Sequence, residues 1–380
     1  MEHAVQVKLI HELFRHIDAG TVPLAEAITR NPVASYTSMT RFDQERRMLF
    51  RQCPLVVGYS SQLRNPGDYV TDELAEVPCL VVRGEASALH AFFNVCRHRG
   101  SQLASGCGSG KRRITCPYHG WTYDTAGRLI AIPDELGFDG LDRRQHNLIR
   151  LPVVERYGLV WVQPTPGGEM DIDAYLGGLG RDLAAYHLET YSHRETRVLR
   201  RRMNWKLISD TFWEAYHIKT LHTQTIAKLF YRNLAAFESF GSHHRLVAPR
   251  QSLESLRGLP ETEWDLIPHA TILNSLFPNT ILIMQSDHVE VFRIYPAARI
   301  NESACRVDLL TPDRPLPGAV DARWKKVMDQ LITVTEEDFV IGEGIQRGFE
   351  SRAQDSVTYG RYEQALAHFH ASLREALAGR

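Results

Sequence analysis

Long apolar runs are missing from this chain of 380 residues. Its longer ones, such as Ile281-Leu282-Ile283-Met284, are strand-sized, far short of the ~20 residues that cross a bilayer. No membrane association is expected. Excess charge is missing too. Lys and Arg total 44 against 45 Asp and Glu, a net charge of −1, which gives no global attraction to nucleic acid. Cysteine is sparse: the six residues Cys53, Cys79, Cys96, Cys107, Cys116 and Cys305 are too few to staple a fold of this size. Paired Cys and His therefore point first to metal. The start, Met1-Glu2-His3-Ala4, lacks a basic stretch followed by an apolar one, so no signal peptide is expected and the cytoplasm is the expected location. Internal repeats and low-complexity tracts are missing as well. What remains is 43% hydrophobic and 23% charged, an ordinary soluble composition with room for two domains.

The first forty residues read as helical in two pieces. Val7, Ile10, Phe14 and Ile17 share one face, and Pro23 opens the second piece. From about residue 50 the pattern changes to short strands. Cys79–Val82 and Ala91–Val95 flank a turn at Gly84-Glu85; Trp121–Tyr123 and Leu129–Ile132 flank Thr125-Ala126-Gly127. Several short strands with regular turn signals predict a small antiparallel β domain. The Pro/Gly cluster at 164–168 is the expected boundary. Beyond it the chain is mixed. Residues 204–222 read as helical, a strand-rich region includes 280–284 and 289–295, and two amphipathic helices follow, one over Val320–Leu331 and one over Tyr362–Leu377. The fold class is α+β, divided into N-terminal helices at 1–45, a small β domain at 46–165 and a larger domain at 166–380.

Two half-motifs carry the first chemistry. Cys96-Arg97-His98 is followed after seventeen residues by Cys116-Pro117-Tyr118-His119. Two thiolates and two imidazoles delivered by two loops can ligate metal. By spacing alone a zinc site is the plain alternative. Each half-motif follows a β-like stretch, and the halves extend to Cys96-Arg97-His98-Arg99-Gly100 and Cys116-Pro117-Tyr118-His119-Gly120-Trp121. These residues resemble the Rieske [2Fe–2S] motif. The resemblance implies that Cys96 and Cys116 bind one iron, and His98 and His119 the other. Neutral imidazoles in place of two thiolates raise the reduction potential above that of an all-cysteine cluster.

The second constellation lies about a hundred residues later. After Asn204-Trp205-Lys206 come Asp210, Glu214, His217 and His222. Two histidines five apart sit ~140° apart on an ideal helix, so one metal requires the helix to end or distort between them. The order resembles the large subunits of Rieske non-heme iron oxygenases. In that family two histidines and a later Asp form a facial triad on mononuclear Fe(II). The resemblance implies His217, His222 and Asp338, from the run Glu336-Glu337-Asp338, with Glu337 as the alternative and Glu343 more distant. It places Glu214, usually Asp in the family, as the electron-transfer bridge between centres on neighbouring subunits, and Asp210 near the iron. It further implies a helix-grip-like catalytic domain, an antiparallel sheet flanked by helices. O₂ is the expected co-substrate, electrons come from NAD(P)H through a separate reductase or ferredoxin, and the assembly is a homotrimer. The expected activity is hydroxylation of an aromatic or similar hydrophobic small molecule. Oxidative N- or O-demethylation is the rival within the family, and a pure Rieske electron carrier the rival outside it.

Overall fold

Strand Cys79–Arg83 has every residue buried, because both of its faces are packed. Leu80 and Val82 point into one core with Phe92, Ile114, Trp121 and Tyr123; Cys79 and Val81 point into another with Val57, Val70 and Val160. This follows from the period of two along a strand. In this computed structural model, which describes residues 1–73, 77–313 and 320–379, that strand is the centre of a five-stranded sheet. Its order is Arg150–Leu151, Leu89–Phe93, Cys79–Arg83, Tyr69–Asp72, Cys107–Gly108. Two three-stranded sheets accompany it. One runs Val153–Arg156, Leu159–Val162, Leu55–Tyr59, and the other Arg113–Thr115, Thr122–Asp124, Leu129–Ala131. Together they build one unit, Arg46–Tyr175 with His187–Ser192. The expected hairpins are present: Cys79 pairs with Phe93 and Arg83 with Leu89, and Thr122 with Ala131.

The other unit comprises Met1–Glu45, Leu176–Tyr186 and His193–Arg380. Its frame is a seven-stranded sheet. Strands Ala236–Phe240, His243–Pro249, Ala270–Leu276, Thr280–Met284, Val289–Pro296 and Ser303–Pro312 lie side by side in chain order as an antiparallel meander. The strand Tyr191–Arg201 closes the far edge beside Ser303–Pro312. Helix Val320–Glu350 buries Trp324, Met328, Thr335, Phe339, Gln346 and Phe349, a spacing of three, four or seven that marks one face. Gly342 belongs to that row. A Cβ there would stand 2.5 Å from the Met203 sulfur, so a larger residue would require the Met203 side chain to shift. The last helix is Gln364–Leu377.

The N-terminal region departs from expectation. Helix His3–Ala19 buries Gln6, Leu9, Ile10, Leu13 and Phe14, a stripe rotated from the one read in the sequence. No helix begins at Pro23. Instead Thr29–Pro32 pairs with Ser356–Tyr359 as a two-stranded sheet, and the next long helix is Met39–Gln52. Residues 204–222 are likewise not one helix but two short ones, Trp205–Asp210 and Ile218–Leu221. No described helix is long and apolar enough to cross a membrane.

Candidate metal centres and substrate cavity

The two cysteine–histidine loops share one backbone design. In the first, Gly100 N–H donates to Cys96 O (3.0 Å) and Cys96 N–H to Ser101 O (2.7 Å); in the second, Gly120 N–H donates to Cys116 O (3.1 Å) and Cys116 N–H to Trp121 O (2.8 Å). Each loop closes at a glycine of positive φ, +79° at Gly100 and +72° at Gly120, where a side chain would be strained. The loops bring the His98 and His119 rings to 4.8 Å. Trp121 stacks on His98 at 4.8 Å and 6°, and Phe138 packs edge-on against both. Both cysteines are buried. Burial raises the Cys96 thiol. For Cys116 burial is outweighed by the backbone N–H groups of Tyr118 and His119, and the thiol lies below its usual value.

The orphaned atoms show what the loops await. Among the described residues, Nδ1 of His98 and Nδ1 of His119 are buried without a hydrogen-bond partner. Buried polar atoms are rarely left so. Two such nitrogens beside two buried thiols fit a Rieske cluster. The Tyr123 hydroxyl accepts from Arg97 N–H (3.0 Å) and lies 3.4 Å from Cys96 Sγ, so its own hydrogen is free to point at the sulfur.

In the larger unit the Asn204-Trp205-Lys206 run acquires a physical reason. Asn204 caps helix Trp205–Asp210 by accepting from Lys206 N–H (3.1 Å). Trp205 Nε1 and Lys206 Nζ both donate to Glu45 Oε2, at 2.9 and 2.6 Å. Lys206 and Glu45 are all but sealed from solvent. Glu45 gave no sequence signal, because its partner lies 161 positions away.

The helix ends at Asp210, and the one-turn helix Ile218–Leu221 then sits between the two histidines. His217 precedes it and His222 follows it. The chain leaves helical geometry at His222 (ψ +31°), and residues five apart come to face one another, with ring centroids 5.1 Å apart. Glu214 holds the first histidine. Its carboxylate accepts from the backbone N–H of Tyr216 and of His217, and from His217 Nδ1. Glu337 holds the second: Oε2 accepts from His222 Nδ1 at 2.6 Å and from the Thr225 hydroxyl at 2.8 Å. Both rings therefore turn Nε2 toward Asp338 Oδ1, at 3.4 Å from His217 and 3.2 Å from His222. A ligand atom from each of His217, His222 and Asp338 lies within 4.8 Å of the others. Burial would lower both histidine pKa values, but the surrounding carboxylates win and hold them above the ordinary value. The pocket attracts positive charge, which suits a divalent cation in place of the protons. The donor set fits mononuclear iron with open positions.

Three acids from the sequence reading go elsewhere. Glu337 braces His222 rather than joining the three converging ligand atoms. Glu343 accepts from Arg202 N–H. Asp210 accepts from the Tyr36 hydroxyl (2.6 Å) and pairs with His370 Nε2 (2.9 Å), in a buried network with Asn31 and Tyr359, and it is not among the residues lining the cavity.

That cavity holds about 280 Å³. His217, His222 and Asp338 line it together with Phe212, Ile218, Phe230, Leu273, Ile283, Phe292 and Leu331. The Phe212 and Phe292 rings are 4.5 Å apart. Arg250, Thr271, Gln285, His288 and Glu290 add polar groups.

Comparison with known proteins agrees with this geometry. Residues 53–140 match the Rieske [2Fe-2S] domain, and residues 188–379 match the ring hydroxylating alpha subunit (catalytic domain). The chain belongs to the ring-hydroxylating alpha-subunit family of Rieske oxygenases. It is a terminal oxygenase, an O₂-using oxidoreductase with a Rieske [2Fe–2S] cluster and a mononuclear iron. The glycine betaine monooxygenase oxygenase subunit of Chromohalobacter salexigens is 28% identical, covering 89% of this chain and 83% of that protein. The chloroplastic choline monooxygenase of Beta vulgaris is 28% identical over 97% of this chain and 80% of its own. Among solved structures, the quaternary ammonium Rieske monooxygenase CntA superposes with a TM-score of 0.80 at 24% identity, over 92% of this chain and 95% of its own. A Rhodococcus naphthalene 1,2-dioxygenase superposes at 0.76 with 18% identity, over 98% of each. At these identities the structural likeness is one of fold.

Proposed function

We propose that this terminal oxygenase hydroxylates a small, largely hydrophobic molecule of aromatic size, held in the cavity beside His217, His222 and Asp338. The observation that carries this reading is the cavity wall. Side chains such as Phe212, Phe230, Leu273, Ile283 and Phe292 surround the space onto which the three ligating side chains open, and apolar lining with few polar anchors is what a hydrophobic substrate needs.

The bound groups would supply one-electron storage at the cluster and O₂ activation at the iron. The chain's own residues do the rest. Cys96, Cys116 and Nδ1 of His98 and His119 would hold the cluster. Nε2 of His217, Nε2 of His222 and the Asp338 carboxylate would hold the iron. Glu214 and Glu337 keep the proton of each imidazole on Nδ1, so that Nε2 presents its lone pair. The apolar wall excludes water and presses the substrate toward the triad. We place Glu214 in the path between cluster and iron of neighbouring subunits in a homotrimer. Electrons reach the cluster from NAD(P)H through a reductase or ferredoxin. The free cysteines among the described residues suit a reducing compartment such as the cytoplasm.

A second reading is oxidation or N-demethylation of a quaternary ammonium compound, favoured by the named activities of the relatives matching most of the chain and by Glu at position 214. The cavity speaks for the first. Its lining offers no Trp or Tyr face among the described residues, and Glu290 is already engaged by His288 at 3.2 Å, whereas a quaternary ammonium binds best over such rings. The test is turnover with a reconstituted reductase and isotopically labelled O₂. Labelled phenol or diol from arenes supports the proposal. Formaldehyde or an aldehyde from choline-type substrates, with arenes untouched, would replace it by the second reading.

A further inference from the structure

One cation in the cavity makes no contact ion pair among the described residues. Arg250 follows strand His243–Pro249 and lines the cavity. Its Nη2 donates to the Gln285 amide oxygen and more weakly to the Thr271 hydroxyl at 3.4 Å. Both partners are neutral. No carboxylate pairs with Arg250 among the described residues; its Nε is buried without a partner, and Nη1 has none either. Burial pulls its pKa below the usual arginine value and outweighs the opposing charges of Glu290 and Asp287. Buried charges are normally paired.

Gln285 adds a second donor. Its Oε1 is spent, accepting from Arg250 Nη2 and from Thr271 Oγ1 (3.3 Å), so its NH₂ is left to donate. The one nearby acid in the lining is balanced. Glu290 lies 3.2 Å from His288 Nε2, and His288 Nδ1 lies 2.7 Å from Asp287. Burial opposes charging of His288, but the two carboxylates lift its pKa to about 9, so an imidazolium neutralises Glu290.

Position matters as much as chemistry. Gln285 N–H donates to His288 O (3.0 Å) across a tight turn, which puts Arg250, Gln285 and His288 together. The His288 ring is 5.9 Å from the Trp324 ring. Trp324 lies fourteen residues before Asp338 on the same helix, about 21 Å along its axis. The donors therefore sit at the end of the cavity remote from the triad.

We propose that Arg250 Nη1 and the Gln285 amide NH₂ form a carboxylate-binding site at this remote end, so that the substrate is an elongated hydrophobic acid bound as its anion. The proposal rests on the cavity being the substrate site. It deepens that reading by fixing which end of the substrate reaches the triad: the apolar end, away from the carboxylate.

The test is calorimetric titration of the iron-replete holoenzyme with phenylbutyrate and phenylhexanoate, each beside its primary amide. The wild type is expected to prefer acid over amide by about 10- to 100-fold, the worth of a charge-assisted hydrogen bond. Arg250→Met should erase the preference while leaving the visible cluster spectrum and iron content unchanged. Gln285→Glu, which supplies Arg250 with a carboxylate from the chain, should weaken the acid and spare the amide, and it guards against a folding defect in the first variant. Equal binding of acid and amide, or a preference that survives Arg250→Met, overturns the carboxylate site and leaves the hydrophobic-substrate reading standing. If neither compound binds while choline does, both fall.

Discussion

Replacing Glu337 tests the assignment of the iron ligands, because the neighbouring acids 337 and 338 have opposite roles in this structure. Glu337 Oε2 accepts from His222 Nδ1 at 2.6 Å, a charge-assisted length. The His222 side chain is 2% exposed and that of Glu337 27%, so water cannot easily take over the imidazole proton. Removing such a partner typically costs 10- to 100-fold in metal affinity, or about 1.4 to 2.8 kcal/mol. Glu337→Gln keeps an oxygen acceptor and loses the charge, so the lower figure applies. Glu337→Ala loses both, and the Thr225 hydroxyl loses its acceptor as well, so the upper figure applies. Asp338→Ala removes a ligand and should leave mononuclear iron below detection. The assay is iron stoichiometry under chelator competition, with cluster absorbance as the internal reference for folded protein. Full retention of iron by Asp338→Ala, together with complete loss in Glu337→Gln, would exchange the two roles. Unchanged affinity in Glu337→Ala would mean that packing alone orients His222.

Three further perturbations read other parts of the chain. Tyr123→Phe removes the hydroxyl 3.4 Å from Cys96 Sγ; if that bond favours the reduced cluster by about 1.4 kcal/mol, the reduction potential falls by about 60 mV, and a redox titration showing no fall would dismiss the bond. Glu214→Gln should keep the cluster, weaken iron binding about 10-fold as at Glu337, and at saturating iron slow single-turnover electron transfer; a wild-type rate would remove Glu214 from the path. Asp308 is buried on Arg293 (2.9 Å), with His193 and Thr196 also against its carboxylate. Burial alone would raise its pKa, but the Arg293 charge and these bonds hold it far below the carboxylate range. With the folded pKa depressed, its stabilisation is complete above about pH 4, the unfolded value, and is lost as pH falls. Asp308→Asn should cost about 3–5 kcal/mol near neutral pH by breaking its buried ion pair with Arg293, seen as a lower urea midpoint; an unshifted midpoint would show that solvent reaches the pair.

Which residues were legible in the sequence follows from how far apart their partners lie. Cys96, His98, Cys116 and His119 sit at two loop tips whose glycines and flanking strands are adjacent in the chain, so the local pattern already contained the site. His217 and His222 were legible as residues, but a single helix over 204–222 would have kept them apart. Instead the helix stops at Asp210, Glu214 takes the backbone N–H groups of Tyr216 and His217, and a new turn, Ile218–Leu221, runs between the two histidines. Pro23 misled because Thr29–Pro32 becomes a strand only by meeting Ser356–Tyr359, a partner no local window contains. The pair Glu337 and Asp338 shows the same limit at its sharpest. Both are acids on one helix, and 100° of rotation separates them. The buried row of Met328, Thr335, Phe339 and Gln346 carries a usable signal, since it turns Asp338 inward. Nothing along the chain announces that Glu337 will meet His222, 115 positions away. That contact orients the imidazole that Asp338 then faces, so Glu337, outside the proposed ligand set, would help decide where the metal sits.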